Sequence, residues 1–73
     1  MEVEVLQRGK VSAYDLFKGF GFIRREKGKD VYFYYGDVLG EGVNISVGDY
    51  VEFSLKMENK GPRAYGVRRI DIV

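Results

Sequence analysis

Apolar and polar residues alternate along most of the chain, which is the pattern of β-strands whose side chains point to opposite faces. The clearest example is the stretch 50–56, where Val51, Phe53 and Leu55 alternate with polar residues and define one inner face. No segment has the period of an amphipathic helix. The pattern therefore predicts an all-β chain with strands at residues 2–14, 19–25, 31–35, 50–56 and 64–73, the first of them bent near Gly9.

Glycine-rich segments separate the predicted strands. Residues 26–30 form a charged turn between the second and third strands, with Gly28 at the position that requires a positive φ. The segment 40–48 is a loop that contains three glycines. Residues 58–62 form another turn, in which Pro62 fixes the backbone.

The second and third predicted strands carry an unusual concentration of rings, in the sequence KGFGFIRREKGKDVYFYY at residues 18–35. Alternation places Ile23, Val31 and Phe33 on one face of this pair. The opposite face then carries four aromatic rings, with lysines and arginines nearby: Phe20, Phe22, Tyr32 and Tyr34. Gly21 leaves the inner side free of bulk between two of these rings.

The four rings have two interpretations. They form the core, as most aromatic residues of small proteins do, or they form an open surface. A small barrel has only one inner face, and filling it with the rings would expose Ile23, Val31 and Phe33 to water. The pattern favours the open surface. Rings beside cations can stack unpaired bases while the cations hold phosphates.

Length and charge further restrict the possible folds and indicate how charge is distributed over the surface. The 73 residues allow one small domain, over residues 1–73, and a closed barrel suits so short a chain because it leaves few exposed strand edges. The net charge is only +1, but residues 8–29 carry seven basic and two acidic side chains, whereas residues 30–58 carry one basic and six acidic ones. This distribution predicts a polarised surface, with the positive segments beside the rings.

The sequence lacks the residues that most enzymes use for catalysis. It contains no histidine and no cysteine, and Asp30, Asp37 and Asp49 are scattered among turns rather than paired. We therefore expect no catalytic activity, no metal and no cofactor. The acidic start MEVEV lacks the basic and apolar regions of a signal peptide, and no apolar run has the length of a membrane span. A cytoplasmic protein without a membrane partner is expected.

Several segments in order resemble the cold-shock domain family. KGFGFI at residues 18–23 and DVYFYY at residues 30–35 are similar to its two RNP-type motifs. GKV at 9–11, GDYVEF at 48–53 and KGPRAYGV at 60–67 resemble its opening strand, its fourth strand and its NKGPQAANV segment. With the strand pattern, the resemblance implies a five-stranded antiparallel OB-fold barrel. It also implies binding of single-stranded RNA or DNA with weak sequence preference, as in an RNA chaperone.

The resemblance and the pattern together indicate which residues contact nucleic acid. The rings that would stack bases are Phe20, Phe22, Tyr32, Tyr34 and Tyr35. Cations that would neutralise phosphates are Lys18, Lys60 and Arg63, of which Arg63 could also stack. Pro62 would brace a ring or a base, and Tyr14 is a further candidate contact. The resemblance also implies a single helical turn at residues 36–39, with Val38 and Leu39 closing the barrel end.

The chain departs from the family at three places. Ser12 and Ala13 replace a lysine and a tryptophan that contact nucleic acid in the family, and Val43 replaces an aromatic residue. The third departure is Phe17, which lies where the family usually has a polar residue, in the loop beside the site; it either restores a ring there or packs locally. These departures, with the near-neutral charge, leave a second hypothesis open: the aromatic face would bind a protein or mediate self-association.

Overall fold

The computed structural model describes residues 6–40 and 45–70, which form five strands and one short 3₁₀ turn. Three features of the sequence fall outside these residues: the start of the first predicted strand at 2–5, the replacement at Val43 and the end of the last predicted strand at 71–73. The 3₁₀ turn spans Tyr35–Asp37. The strands are β1 (Leu6–Asp15), β2 (Phe20–Arg24), β3 (Val31–Tyr34), β4 (Tyr50–Glu58) and β5 (Gly61–Arg69).

The strands close into a barrel in the order β1-β2-β3-β5-β4, with β4 paired back to β1. The prediction of an all-β, five-stranded barrel is confirmed. Four of its strand pairings are antiparallel, as expected, but β3 and β5 run parallel. A parallel neighbour requires a long connection, and here the chain passes through β4 before β5 returns beside β3.

The barrel interior is filled by the inner faces that alternation predicted. Ile23, Val31 and Phe33 have no exposed surface, so the interpretation that the four rings form the core is wrong. Burying an aliphatic or aromatic side chain of this size is worth about 1.5–3 kcal/mol each. The other buried apolar residues are Val11, Ile45, Val51, Phe53, Ala64 and Val67.

Glycine is required where the Phe33 ring approaches β2. A Cβ atom at Gly21 would lie 2.7 Å from Cε1 of Phe33, which is closer than side chains pack. Gly21 therefore lets a large ring fill the centre of the barrel while its neighbours Phe20 and Phe22 point outward. The predicted positive φ at Gly28 is also confirmed, at +98°.

A β-bulge reverses the alternation of β1. Val11 is paired with Ile23 and Ala13 with Phe22, so Ser12 is an extra residue on β1. The Ser12 hydroxyl donates to Asp30 Oδ2 at 3.2 Å. The strand runs on through Gly9, so the predicted bend lies at Ser12 instead. After the bulge Ala13 is exposed, and Tyr14 packs against the core.

The last strand begins earlier than predicted. Glu58 is paired with Gly61 and Met57 with Pro62, so β4 and β5 form a tight hairpin and Ala64 is not the first residue of β5. Val38 packs against the core and bridges to Val67, as predicted for the barrel end. Leu39 is about half exposed, because the chain after the 3₁₀ turn alternates and directs it outward.

Candidate nucleic-acid interface

The outer face of β2 and β3 carries a cluster of rings, here called the aromatic platform: Phe20, Phe22, Tyr32 and Tyr34. The register of the hairpin places Phe20 opposite Tyr34 and Phe22 opposite Tyr32. The platform remains accessible, since Phe22 and Tyr34 are 36% and 48% exposed and the other two rings are partly buried. The structure thus brings together four of the predicted stacking residues.

Three rings of the platform hold one another in fixed orientations. Phe20 and Tyr32 are stacked, with centroids 5.7 Å apart and planes inclined by 27°. Phe22 meets Tyr32 edge to face at 6.1 Å and Phe20 at 6.0 Å. Both arrangements suit the ring quadrupoles. These rings therefore already pack against one another without a ligand, and such preorganisation lowers the entropic cost of stacking a base on them.

Arg63 extends the platform across the parallel pairing of β3 and β5. Its guanidinium carbon lies 5.6 Å from the Tyr32 ring centroid and 4.7 Å from that of Tyr65, both within cation–π range. Arg63 Nη2 also donates to Asp37 Oδ2 at 3.1 Å. This hydrogen bond raises the pKa of the guanidinium still further. Arg63 is thus a planar group that lies over two rings and is paired with Asp37, and its predicted roles in stacking and in phosphate binding both remain predictions.

A groove of about 600 Å³ separates the platform from the tip of the β4–β5 hairpin. Phe22 and Tyr32 line one side, and residues 58–63 line the other. Pro62 is buried in this wall, and its bracing of a ring or a base remains a prediction. Lys60 is exposed at the hairpin tip. The groove has room for a base whose phosphate would lie near a cation.

Ion pairs reduce the predicted charge polarisation. All four ion pairs among residues 6–40 and 45–70 join a basic segment to an acid in the segment 30–58. They are Arg8–Glu52, Arg24–Asp30, Arg63–Asp37 and Arg68–Glu52. Lys18 and Lys60 are exposed and take no part in them. These two lysines are the predicted phosphate contacts that remain unneutralised within the described chain.

The other predicted contacts fall at different distances from the platform. Tyr35 is exposed at the start of the 3₁₀ turn, directly after Tyr34. Phe17 is fully exposed, so of its two interpretations local packing is wrong. Tyr14 points to the interior, where its ring lies 5.7 Å from that of Phe33 and burial raises the pKa of its phenol. The bulge at Ser12 is the reason that Tyr14 lies away from the platform.

Tyr65 is a functional candidate that the sequence analysis missed. It lies beneath the Arg63 guanidinium, and its hydroxyl donates to Glu58 Oε1 at 2.6 Å. Lys56 Nζ lies 5.8 Å from the centroid of the same ring. Starting β5 at Gly61 instead of Ala64 would have revealed that Arg63 and Tyr65 share its outer face.

Comparison with known proteins identifies the family of the chain. The pattern of the "cold-shock" DNA-binding domain matches residues 7–70. The chain belongs to the cold-shock DNA-binding domain family. It is 43% identical over 67 residues to the Retron Se72 cold shock-like protein of Salmonella heidelberg, covering 89% of this chain and 100% of that relative. It is 38% identical over 66 residues to the cold shock protein CspB of Geobacillus stearothermophilus, with the same two coverages.

The fold agrees with this membership. The solved structure of Drosophila Unr CSD456 superimposes with a TM-score of 0.80 at 25% sequence identity, covering 93% of this chain and 28% of that one. Cold-shock domains are non-enzymatic and bind nucleic acid, so membership of the family confirms two predictions: nucleic-acid binding and a non-enzymatic role. No helix in the described part of the chain is long and apolar enough to cross a membrane.

Proposed function

We propose that this cold-shock domain protein binds single-stranded RNA or DNA with weak sequence preference and acts as an RNA chaperone. The observation that carries the proposal is the accessible aromatic platform on a strand pair whose opposite face is completely buried. Three of its rings are already packed in fixed orientations, and Arg63 continues the surface onto β5. Stacking requires only a base with two free faces, so such a surface discriminates weakly between sequences.

The chaperone activity would follow from binding alone. A base paired within a hairpin cannot present its face to Phe22 or Tyr32, whereas an unpaired base can. The protein would therefore bind the melted state of an RNA hairpin and shift the folding equilibrium toward it. No energy source or cofactor is needed for this step.

A titration with short dT and U oligomers at two salt concentrations tests the proposal. We expect binding whose affinity falls as salt rises, because Lys18 and Lys60 would displace counterions from phosphates. The slope should be shallow, since Arg63 is paired with Asp37. Failure to bind either oligomer would contradict the proposal. A flat salt response together with dimer formation would instead favour self-association through the platform.

A further inference from the structure

The hairpin side of the groove contains a carboxylate in an unexpected place. Glu58 lines the same groove as Phe22 and Tyr32, on the hairpin side, so a base stacked on these rings would have its edge in the groove that contains the carboxylate. A carboxylate repels phosphate, so its presence beside a nucleic-acid surface needs a reason other than backbone binding.

Tyr65 holds this carboxylate in position. Its hydroxyl donates to Glu58 Oε1 at 2.6 Å, a short distance that is typical of a charge-assisted hydrogen bond. The same hydrogen bond raises the pKa of the Tyr65 phenol, so Tyr65 remains a donor at neutral pH. The Tyr65 ring is itself covered by Arg63, which Asp37 holds. Oε1 is thereby occupied, while Oε2 accepts no hydrogen bond from residues 6–40 or 45–70 and can accept one from a ligand.

The chemistry of Oε2 distinguishes between pyrimidines. An ionised carboxylate can only accept hydrogen bonds. Cytosine presents the N4 amino group, which donates to Glu or Asp side chains, whereas uracil and thymine present an O4 carbonyl at the same place. A carboxylate facing O4 would meet a second acceptor, which is repulsive.

The other polar groups of the groove either suit both bases or are the same in the variants that test the preference. The Asn59 amide and the Tyr32 hydroxyl both donate and accept, so they suit either base. Asp37 engages Arg63 Nη2 and Arg63 Nε is buried, whereas Arg63 Nη1 can donate to O4; this donor is present in the wild type and in Glu58→Gln alike, so comparing the two isolates the carboxylate. Lys60 is exposed at the hairpin tip, where we have assigned it to phosphate.

We propose that Glu58 is a base-selecting residue and Tyr65 its positioning residue, so that the groove prefers cytosine to uracil or thymine at one position of a bound strand. This inference rests on the proposed function and adds one selective position to a surface that is otherwise tolerant of sequence.

The test uses a deoxyuridine oligomer and a set of variants in which one dU at a time is replaced by dC, titrated by fluorescence. For the wild-type protein we expect one position where dC tightens binding by about three- to tenfold, the value of one ordinary hydrogen bond, because Glu58 is exposed to solvent. Glu58→Gln should bring the ratio of the dC to the dU affinity at that position close to one, because an amide can donate to O4 as well as accept from N4. Tyr65→Phe retains the ring and should reduce the ratio in part.

Glu26→Gln is the matched control, since it removes the same charge from the exposed β2–β3 turn and should leave the ratio unchanged. A wild-type protein that binds the all-dU oligomer but shows no preference for dC at any position would overturn the inference and leave the proposed function intact. A preference that survives in Glu58→Gln would overturn it as well. Failure to bind any oligomer would refute the proposed function and this inference together.

Discussion

Tyr32 on β3 and Arg63 on β5 are direct partners across the parallel pairing of the barrel, with the guanidinium carbon 5.6 Å from the ring centroid. This pair links two parts of the outer surface that lie far apart in the sequence. A continuous row of strand partners crosses the barrel here: Ala13, Phe22, Tyr32, Arg63 and Lys56. The row runs from the place where the family has a tryptophan, over the aromatic platform, to the cations of the β4–β5 hairpin.

The pairing of Arg63 with Asp37 predicts that two cations beside the groove act differently. Lys60→Ala should weaken oligonucleotide binding and reduce the slope of log affinity against log salt by about 0.7, the contribution of one phosphate on a single strand. Arg63→Ala should also weaken binding, through lost stacking, but should lower the slope by less than Lys60→Ala does, because the Arg63 charge is already paired with Asp37. Titrations at several salt concentrations measure both effects.

Asp37→Asn is the informative control for this comparison, because it frees the Arg63 charge and should steepen the slope. If Arg63→Ala instead lowered the slope as much as Lys60→Ala, the guanidinium would be a phosphate contact and the ion pair would not persist in the complex.

Ala13 occupies an exposed position opposite Phe22, where a ring would enlarge the platform. We expect Ala13→Trp to tighten binding of a short oligomer by roughly 1–3 kcal/mol, the value of one stacked base. The melting temperature should change little, because the new side chain lies outside the barrel. Phe17→Ala should be measured beside it. An unchanged or weaker affinity for Ala13→Trp, with a loss for Phe17→Ala, would mean that Phe17 already supplies the missing ring.

Glu52 gives the fold a predictable response to acid. Arg8 and Arg68 donate hydrogen bonds to the Glu52 carboxylate, and these hold the pKa of Glu52 below the usual value of 4.5, with Arg8 contributing most. A carboxyl group whose pKa is lower in the folded state stabilises the fold above its unfolded-state pKa, and this stabilisation is lost as pH falls through the folded-state pKa. Thermal melts between neutral and acidic pH should therefore show that the melting temperature falls more steeply with decreasing pH for the wild type than for Glu52→Gln. Glu26→Gln, which removes an exposed acid from the β2–β3 turn, should retain the wild-type profile.

The core and the platform could be predicted because strand alternation is a local property. The inner position of Ile23, Val31 and Phe33 follows from a period of two within each strand, and Gly21 marks the place where a ring crosses behind the strand. The hairpin register then places Phe22 beside Tyr32 without further information. These features depend only on neighbouring residues of the chain.

Two features of the candidate site could not be predicted in this way. The bulge at Ser12 inverts the alternation of β1, so a strict period of two would have placed Ala13 inside and Tyr14 outside. The parallel pairing of β3 with β5 is a long-range contact that brings Tyr32 and Asp37 to Arg63, and no local pattern specifies it. The bulge explains the misplaced Tyr14, whereas Tyr65 is missed because the predicted last strand begins at Ala64 instead of Gly61.

The measurement that tests the account most directly is a thermal melt paired with an oligomer titration for variants of the two faces of β2. Phe22→Ala removes an exposed ring, so binding should weaken by roughly 1–3 kcal/mol, while stability should fall by only about 0.2–1 kcal/mol through lost cross-strand contacts. Ile23→Val, on the buried face, should do the reverse: a stability loss of roughly 0.5–1.5 kcal/mol with affinity unchanged. If Phe22→Ala folds and binds as tightly as the wild type, the aromatic platform is not where bases stack, and the proposed binding surface is wrong.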